Sequence, residues 1–197
     1  MRYFLASLAS LASLASFVLL ASSALFVSCT PSRYYVVRHA EKAIVTKDSA
    51  GFTPVNPPLS EAGQVRAFVL RDELKDKHVR NIFSTNYVRT IATARPLSDK
   101  INVPVQLYNP SKDSLAAFIQ KLQMRRKGSV LIVGHSNTVD DIVNKLTGEI
   151  KIPADLQDSE YDNLYIITKK GRKLLFSQRK YGYPSAPEKS GTRMTGN

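Results

Sequence analysis

Hydrophobic and polar positions change period repeatedly along this chain. "YYVV" (34–37) is a short run of aromatic and β-branched residues that suits a strand, and it stops abruptly on Arg38 and His39. "AIVTKDSAGFTPVNPP" carries a glycine and three prolines and predicts a surface loop. Ser60 then stands as an N-cap before Glu61, ahead of a helix whose core face is expected to hold Val65, Phe68, Val69 and Leu74. "NIFST" predicts a second strand, Arg89 to Lys100 a second helix, and "VPVQLY" a third strand. Between Ser111 and Lys127, Leu115, Phe118, Ile119 and Leu122 fall at i, i+3, i+4, i+7, the stripe of an amphipathic helix. "SVLIVGH" is apolar through its middle, as for a strand covered on both faces. From Ser136 a helix repeats the spacing with Val139, Ile142, Val143 and Leu146, and Gly148 closes it. "NLYIITKK" and "RKLLFSQRKYG" flank Gly171 as a hairpin.

Strand and helix thus alternate through most of the chain, which predicts an α/β domain: a three-layer α/β/α sandwich with a mostly parallel sheet, made mixed by the closing hairpin. A length of 197 residues suits one such domain.

The N-terminus follows another rule. Residues 3–28 hold no charge and contain a fourfold "LAS", with Arg2 ahead of them, so they form the n- and h-regions of a targeting segment. The expected layout is a signal peptide over 1–28, a lipidated N-terminus and linker over 29–33, the domain over 34–184, and a disordered tail over 185–197. "LFVSCTPS" resembles the lipobox of bacterial lipoproteins, with Phe26 where that motif usually has leucine. The resemblance implies acylation of Cys29, the chain's single cysteine, and hence an exported, membrane-anchored protein on the periplasmic side or cell surface. An uncleaved anchor is the other fate open to so long an apolar run.

Net charge is +12 and falls to +11 without Arg2, which favours acidic partners. The cations are scattered and no nucleic-acid-binding signature accompanies them, so nucleic acid is not an expected partner.

Candidate chemistry sits where the strands end, since ligands of such sheets bind beyond the carboxyl ends of the strands. Two of the three histidines close apolar strands: His39 in "YYVVRH" and His135 in "SVLIVGH". The third, His78, lies among charges. A third metal ligand at familiar spacing is lacking, and Arg38 would repel a cation, so no metal is expected. An anion fits better, because arginine's planar fork matches phosphate oxygens.

At this point the residues resemble the histidine phosphatase superfamily, also called phosphoglycerate mutase-like. "RHAE" (38–41), "PLSEAG" (58–63), "STNYVRTIATA" (84–94) and "GHS" (134–136) look like its landmarks, in its order. The resemblance implies that fold, a metal- and cofactor-independent phosphatase, His39 as a nucleophile that becomes phosphorylated, and substrate binding by Arg38, Arg89, His135 and Ser136, with His135 as imidazolium. It implies a phosphorylated small molecule as substrate, for which an exported site suggests an envelope sugar phosphate.

One departure concerns the general acid. Mutase-like members carry a glutamate after the second arginine, whereas "QLYNPSKDSLAAF" has only Asp113, so Glu41 is the candidate. Asp140 and Asp141 read as first-turn helix residues. "EYDNLY" (160–165) is polar enough to line a pocket or to form a turn. Two other readings stay open: a non-catalytic anion-binding lipoprotein, and a phosphohistidine (phosphoramidate) phosphatase.

Overall fold

The computed structural model describes residues 31–45, 53–125, 128–171 and 173–185. The expected signal segment over 1–28, Cys29 and residues 186–197 of the expected tail lie outside the described residues. The elements are β1 (Ser32–Arg38), α1 (Glu61–Leu74), β2 (Val79–Ser84), α2 (Val88–Ile101), β3 (Val105–Leu107), α3 (Lys112–Gln123), β4 (Ser129–Gly134), α4 (Val139–Thr147), β5 (Asn163–Lys170) and β6 (Lys173–Lys180). Among the described residues no helix is long and apolar enough to cross a membrane.

The six strands form one sheet in the order β3-β2-β4-β1-β5-β6. β3, β2, β4 and β1 run parallel, while β5 is antiparallel to β1 and β6 to β5. Successive side chains of a strand face opposite ways, so β1 feeds two cores. Tyr34 and Val36 pack with Leu115, Ile119 and Ile142 of α3 and α4, whereas Tyr35 and Val37 pack with Leu70, Ala94 and Leu97 of α1 and α2. The buried Tyr34 hydroxyl donates to the Leu122 carbonyl at 2.9 Å. Helices therefore cover both faces of a mixed sheet, which explains the unbroken apolar runs of β1 and β4.

Chain direction opens a crevice. From β1 the chain leaves through α1 toward β2 on one face; from the adjacent β4 it leaves through α4 toward β5 on the other. Their carboxyl ends are the topological switch point, and His39 and His135 follow them directly.

Ser60 caps α1 as expected, its side chain accepting from the Gly63 amide. The core face of α1 differs from the expected one. Gly63, Arg66, Ala67, Leu70 and Leu74 are buried, whereas Val65 and Phe68 are about half exposed at 49% and 50%. The helix carries a buried arginine on its inner stripe, so a count of apolar positions selects the wrong side. The predicted stripes of α3 and α4 are buried at all eight positions named. β3 is shorter than "VPVQLY" suggests. Gly148 and Gly171 hold the left-handed φ of +73° and +60° that their turns require.

Candidate active site

Pairing of β1 with β4 sets Arg38 opposite Gly134, and the His39 amide donates to the Gly134 carbonyl at 2.9 Å. The two imidazoles consequently face each other, with ring centroids 5.5 Å apart. Gly134 has no room for more: a Cβ there would meet Thr138 Oγ1 at 2.9 Å and the Tyr108 hydroxyl at 3.1 Å.

His39 is 3% exposed, and its Nδ1 lies 2.8 Å from the Ala40 carbonyl. A carbonyl only accepts, so Nδ1 carries the hydrogen and Nε2 keeps its lone pair. Burial, with Arg38, Arg89 and His135 nearby, pushes the His39 pKa down to about 3 despite the opposing carbonyl bond. The ring is therefore neutral throughout the physiological range.

His135 reaches the same state by another route. Its Nε2 lies 2.8 Å from Thr85 Oγ1, which lies 3.0 Å from Thr90 Oγ1. Thr90 Oγ1 in turn donates to the carbonyls of Thr85 at 3.0 Å and Tyr87 at 2.9 Å. Because the chain ends on carbonyl acceptors, every hydroxyl must donate onward, and His135 must donate through Nε2. Its Nδ1 is then the acceptor facing Arg89 Nη2 at 3.4 Å. Burial first, then Arg89 and Arg38, lower its pKa to about 4. In the absence of an anion, two guanidiniums and desolvation keep His135 neutral. A phosphate dianion reverses the sign of the local field and favours a proton on Nδ1.

Arg38 is 3% exposed. Its Nη1 donates to the carbonyls of Gln157 (2.7 Å), Asp158 (3.1 Å) and Glu160 (3.3 Å), and Nη2 contacts Asp158 Oδ1 at 3.4 Å. The Tyr161 ring covers its guanidinium at 4.2 Å. Arg89 stacks on Tyr87 at 4.6 Å and donates to the Val55 carbonyl at 3.2 Å. Among the described residues neither arginine's buried Nε–H has a partner. Unpaired buried donors are costly and rare; two on arginines lining one cavity with two neutral imidazoles make a site built for an acceptor-rich anion.

Glu41 does not join this group. Arg66 holds its carboxylate through Nε at 2.9 and 3.0 Å and Nη2 at 2.6 Å, and Arg66 also donates to the Tyr181 and Tyr183 carbonyls at 2.9 Å. It borders a separate cavity of about 600 Å³ with Val65, Val69 and Tyr183. This corrects its placement as the acid: the buried Arg66 takes the carboxylate that sequence proximity offered to His39. Gly63 lets α1 lie flush on this loop, since a Cβ there would stand 2.2 Å from the Glu41 carbonyl oxygen.

Arg38, His39, Arg89, His135 and Ser136 all line one cavity of about 950 Å³, so the structure brings together every other expected site residue. Lys42, Tyr87 and three asparagines, Asn86, Asn109 and Asn137, also line it, and among the described residues Asp158 is its one carboxylate. Asp113 lies in the first turn of α3 and does not line it. Tyr161, within the polar "EYDNLY" stretch, reaches the site, its ring 5.9 Å from that of His39. The threonines of "STNYVRTIATA" were the unread signal: Thr85 and Thr90 orient His135, and Thr93 accepts from the Ala40 amide at 2.9 Å. Among the described residues no group of three or more His, Cys, Asp or Glu side chains converges that could hold a metal ion.

Residues 34–109 match the family model described as Histidine phosphatase superfamily (branch 1). That match spans 76 of the 197 residues, and over it the chain resembles the histidine phosphatase superfamily, in keeping with the fold and site above. Solved structures agree on the fold. The protein histidine phosphatase SixA complexed with tungstate superposes with a TM-score of 0.59 at 18% identity, covering 75% of this chain and 96% of that one. A mycobacterial glucosyl-3-phosphoglycerate phosphatase gives 0.53 at 12%, covering 77% and 98%. YhfR from Bacillus stearothermophilus gives 0.54 at 16%, covering 74% and 95%. No curated protein matches the sequence.

Proposed function

We propose that this protein hydrolyses phosphomonoesters through a phosphohistidine on His39. The observation that carries the reading is the pair of unpartnered arginine Nε donors beside a neutral imidazole whose Nδ1–H is already committed. Nε2 of His39 attacks phosphorus as the P–O bond to the leaving group breaks. Water then attacks the phosphorus, the P–N bond breaks, and inorganic phosphate leaves. Arg38, Arg89 and His135 neutralise the equatorial oxygens during both transfers, and Ser136 lies on the same wall. Brief reaction with a ³²P-labelled phosphomonoester should leave acid-labile, alkali-stable label on the wild type and none on His39→Ala. Label retained by the variant would overturn the assignment.

A second reading is favoured by the carboxylate count. Among the described residues Asp158 is the one carboxylate that lines the cavity; it is 78% exposed and leans on Arg38. A site poor in general acid suits a leaving group that needs little help, such as the imidazole of a phosphohistidine or another phosphoramidate. The ratio of kcat/KM for phosphoramidate to that for an alkyl phosphate decides: a ratio far above one selects this reading. Phosphate binding without release of p-nitrophenol from p-nitrophenyl phosphate would select a non-catalytic anion binder instead.

The uncharged run over 3–28 and the cysteine behind it support a further part of the proposal: an exported domain, tethered by lipid on Cys29 and acting on an envelope sugar phosphate or another phosphorylated small molecule. Labelling with radioactive palmitate that survives Cys29→Ala would remove the lipid, and a cytosolic fraction would remove the export.

A further inference from the structure

At the end of the sheet opposite the active site, the parallel strands begin and two turns meet. The sequence after α3 reads "MRRKG" (124–128) and that joining β5 to β6 reads "TKKGRK" (168–173); together they hold seven lysines and arginines and no acid, and of these Arg125, Lys169, Lys170 and Lys173 are among the described residues. The end of α3 and the β5–β6 hairpin are neighbours, since Lys169 Nζ donates to the Gln123 carbonyl at 3.1 Å. Both flank the start of β1, where Ser32 pairs with Lys169. Within the hairpin, Lys170 stands directly opposite Lys173. Like charges at that register repel, and among the described residues no carboxylate pairs with Lys169, Lys170 or Lys173. Apolar side chains stand beside them: Met124 is 68% exposed, Leu174 36% and Leu175 48%.

The sequence says what faces this end. Cys29 precedes Ser32 by three residues, a reach of at most about 10 Å. An acyl chain on Cys29, or a retained apolar segment ending there, therefore brings the start of β1 to the bilayer surface.

We propose that this basic hairpin end docks on an anionic lipid surface, with Lys169, Lys170 and Lys173 on headgroups and Leu174 and Leu175 at the interface. The proposal rests on the export reading above. β1 spans seven residues, so the His39 cavity opens roughly 20 Å farther along the strands. It faces away from the membrane, toward soluble phosphoesters and not toward headgroups of the same bilayer.

The test uses the domain from Pro31, because the buried residues of both cores lie within Tyr34–Tyr181. Co-sedimentation is measured with vesicles of phosphatidylcholine alone and with phosphatidylglycerol added at roughly one part in three, an anionic surface that attracts basic residues. Binding should require the anionic lipid and weaken as salt rises. At roughly fivefold in affinity per basic residue, Lys170→Glu with Lys173→Glu should lose roughly 25-fold or more. Arg95→Glu with Lys112→Glu, an equal charge change elsewhere, should lose far less. Equal losses in the two doubles, or no preference for anionic vesicles, overturn the proposal; so does patch-dependent binding to duplex DNA or RNA with none to vesicles. Turnover of p-nitrophenyl phosphate, followed in the same samples, keeps the readings apart. Vesicle binding without turnover strikes only the phosphatase assignment, and turnover without vesicle binding strikes only the docking surface.

Discussion

His39 and His135 occupy equivalent places at the ends of adjacent parallel strands, yet they are held in opposite ways. His39 spends Nδ1 on the carbonyl of its own neighbour and offers Nε2. His135 commits Nε2 to Thr85 and offers Nδ1 toward Arg89. Their backbones differ too. The loop after His39 is clamped from afar by Thr93, Ser60 and Arg66. The His135 amide is held locally by Thr138 Oγ1 at 2.9 Å. On the proposed reading, the ring that forms and breaks a bond to phosphorus needs a fixed scaffold and one free lone pair. A ring that only binds charge needs a reversible proton, and a hydroxyl chain behind it supplies the orientation.

Removing each partner sharpens the contrast. His39→Ala should reduce kcat by on the order of 10⁴-fold or more, as expected for loss of a nucleophile; a loss below tenfold would make the two histidines interchangeable and end the comparison. His135→Ala should cost on the order of 10²-fold, the scale of one charge-assisted donor, and labelling of His39 should persist, only slower. Arg66→Met tests the distant clamp. Breaking a buried ion pair typically costs about 3 kcal/mol or more, read as a lower urea midpoint, and Glu41→Gln alone should cost less. Thr85→Val strands the Nε2–H of His135; kcat/KM should drop roughly tenfold, and the acid limb of its pH profile should move.

The smallest effect is on stability. Both histidines have folded-state pKa values, about 3 and about 4, below the unfolded value. The unfolded chain therefore binds more protons on acidification. Their contribution is intact above about pH 6.5 and is lost as pH falls toward 4 and then 3. Melting temperature should fall between pH 7 and pH 5, less steeply in His39→Asn, and inorganic phosphate should restore part of it.

Most of this site was legible in the chain because strand ends are legible: an apolar run that halts on Arg38 and His39, and another that halts on Gly134 and His135, declare both the sheet and the crevice. The stripes of α3 and α4 were readable for the same reason, one apolar face against one core. What escaped was polar burial. Arg66 sits inside α1 because Glu41 and two carbonyls of the C-terminal segment satisfy it, and nothing local announces partners 25 and 115 residues away. The same blindness cast Glu41 as the acid, since its distance from His39 along the chain was known and its ion pair was not. Thr85, in the predicted strand "NIFST", and Thr90, in the helix after it, carried no local mark of the histidine that the folded sheet sets beside Thr85.

The flush contact of Gly63 on the Glu41 backbone bears on how such a protein can diversify. A library of variants at position 63 would be almost uniformly inactive, because any side chain pries the nucleophile's loop from its support. Asn86, Asn109 and Asn137 instead stand exposed on separate loops of the cavity wall. New specificities would be selected there, with the phosphoryl chemistry inherited unchanged.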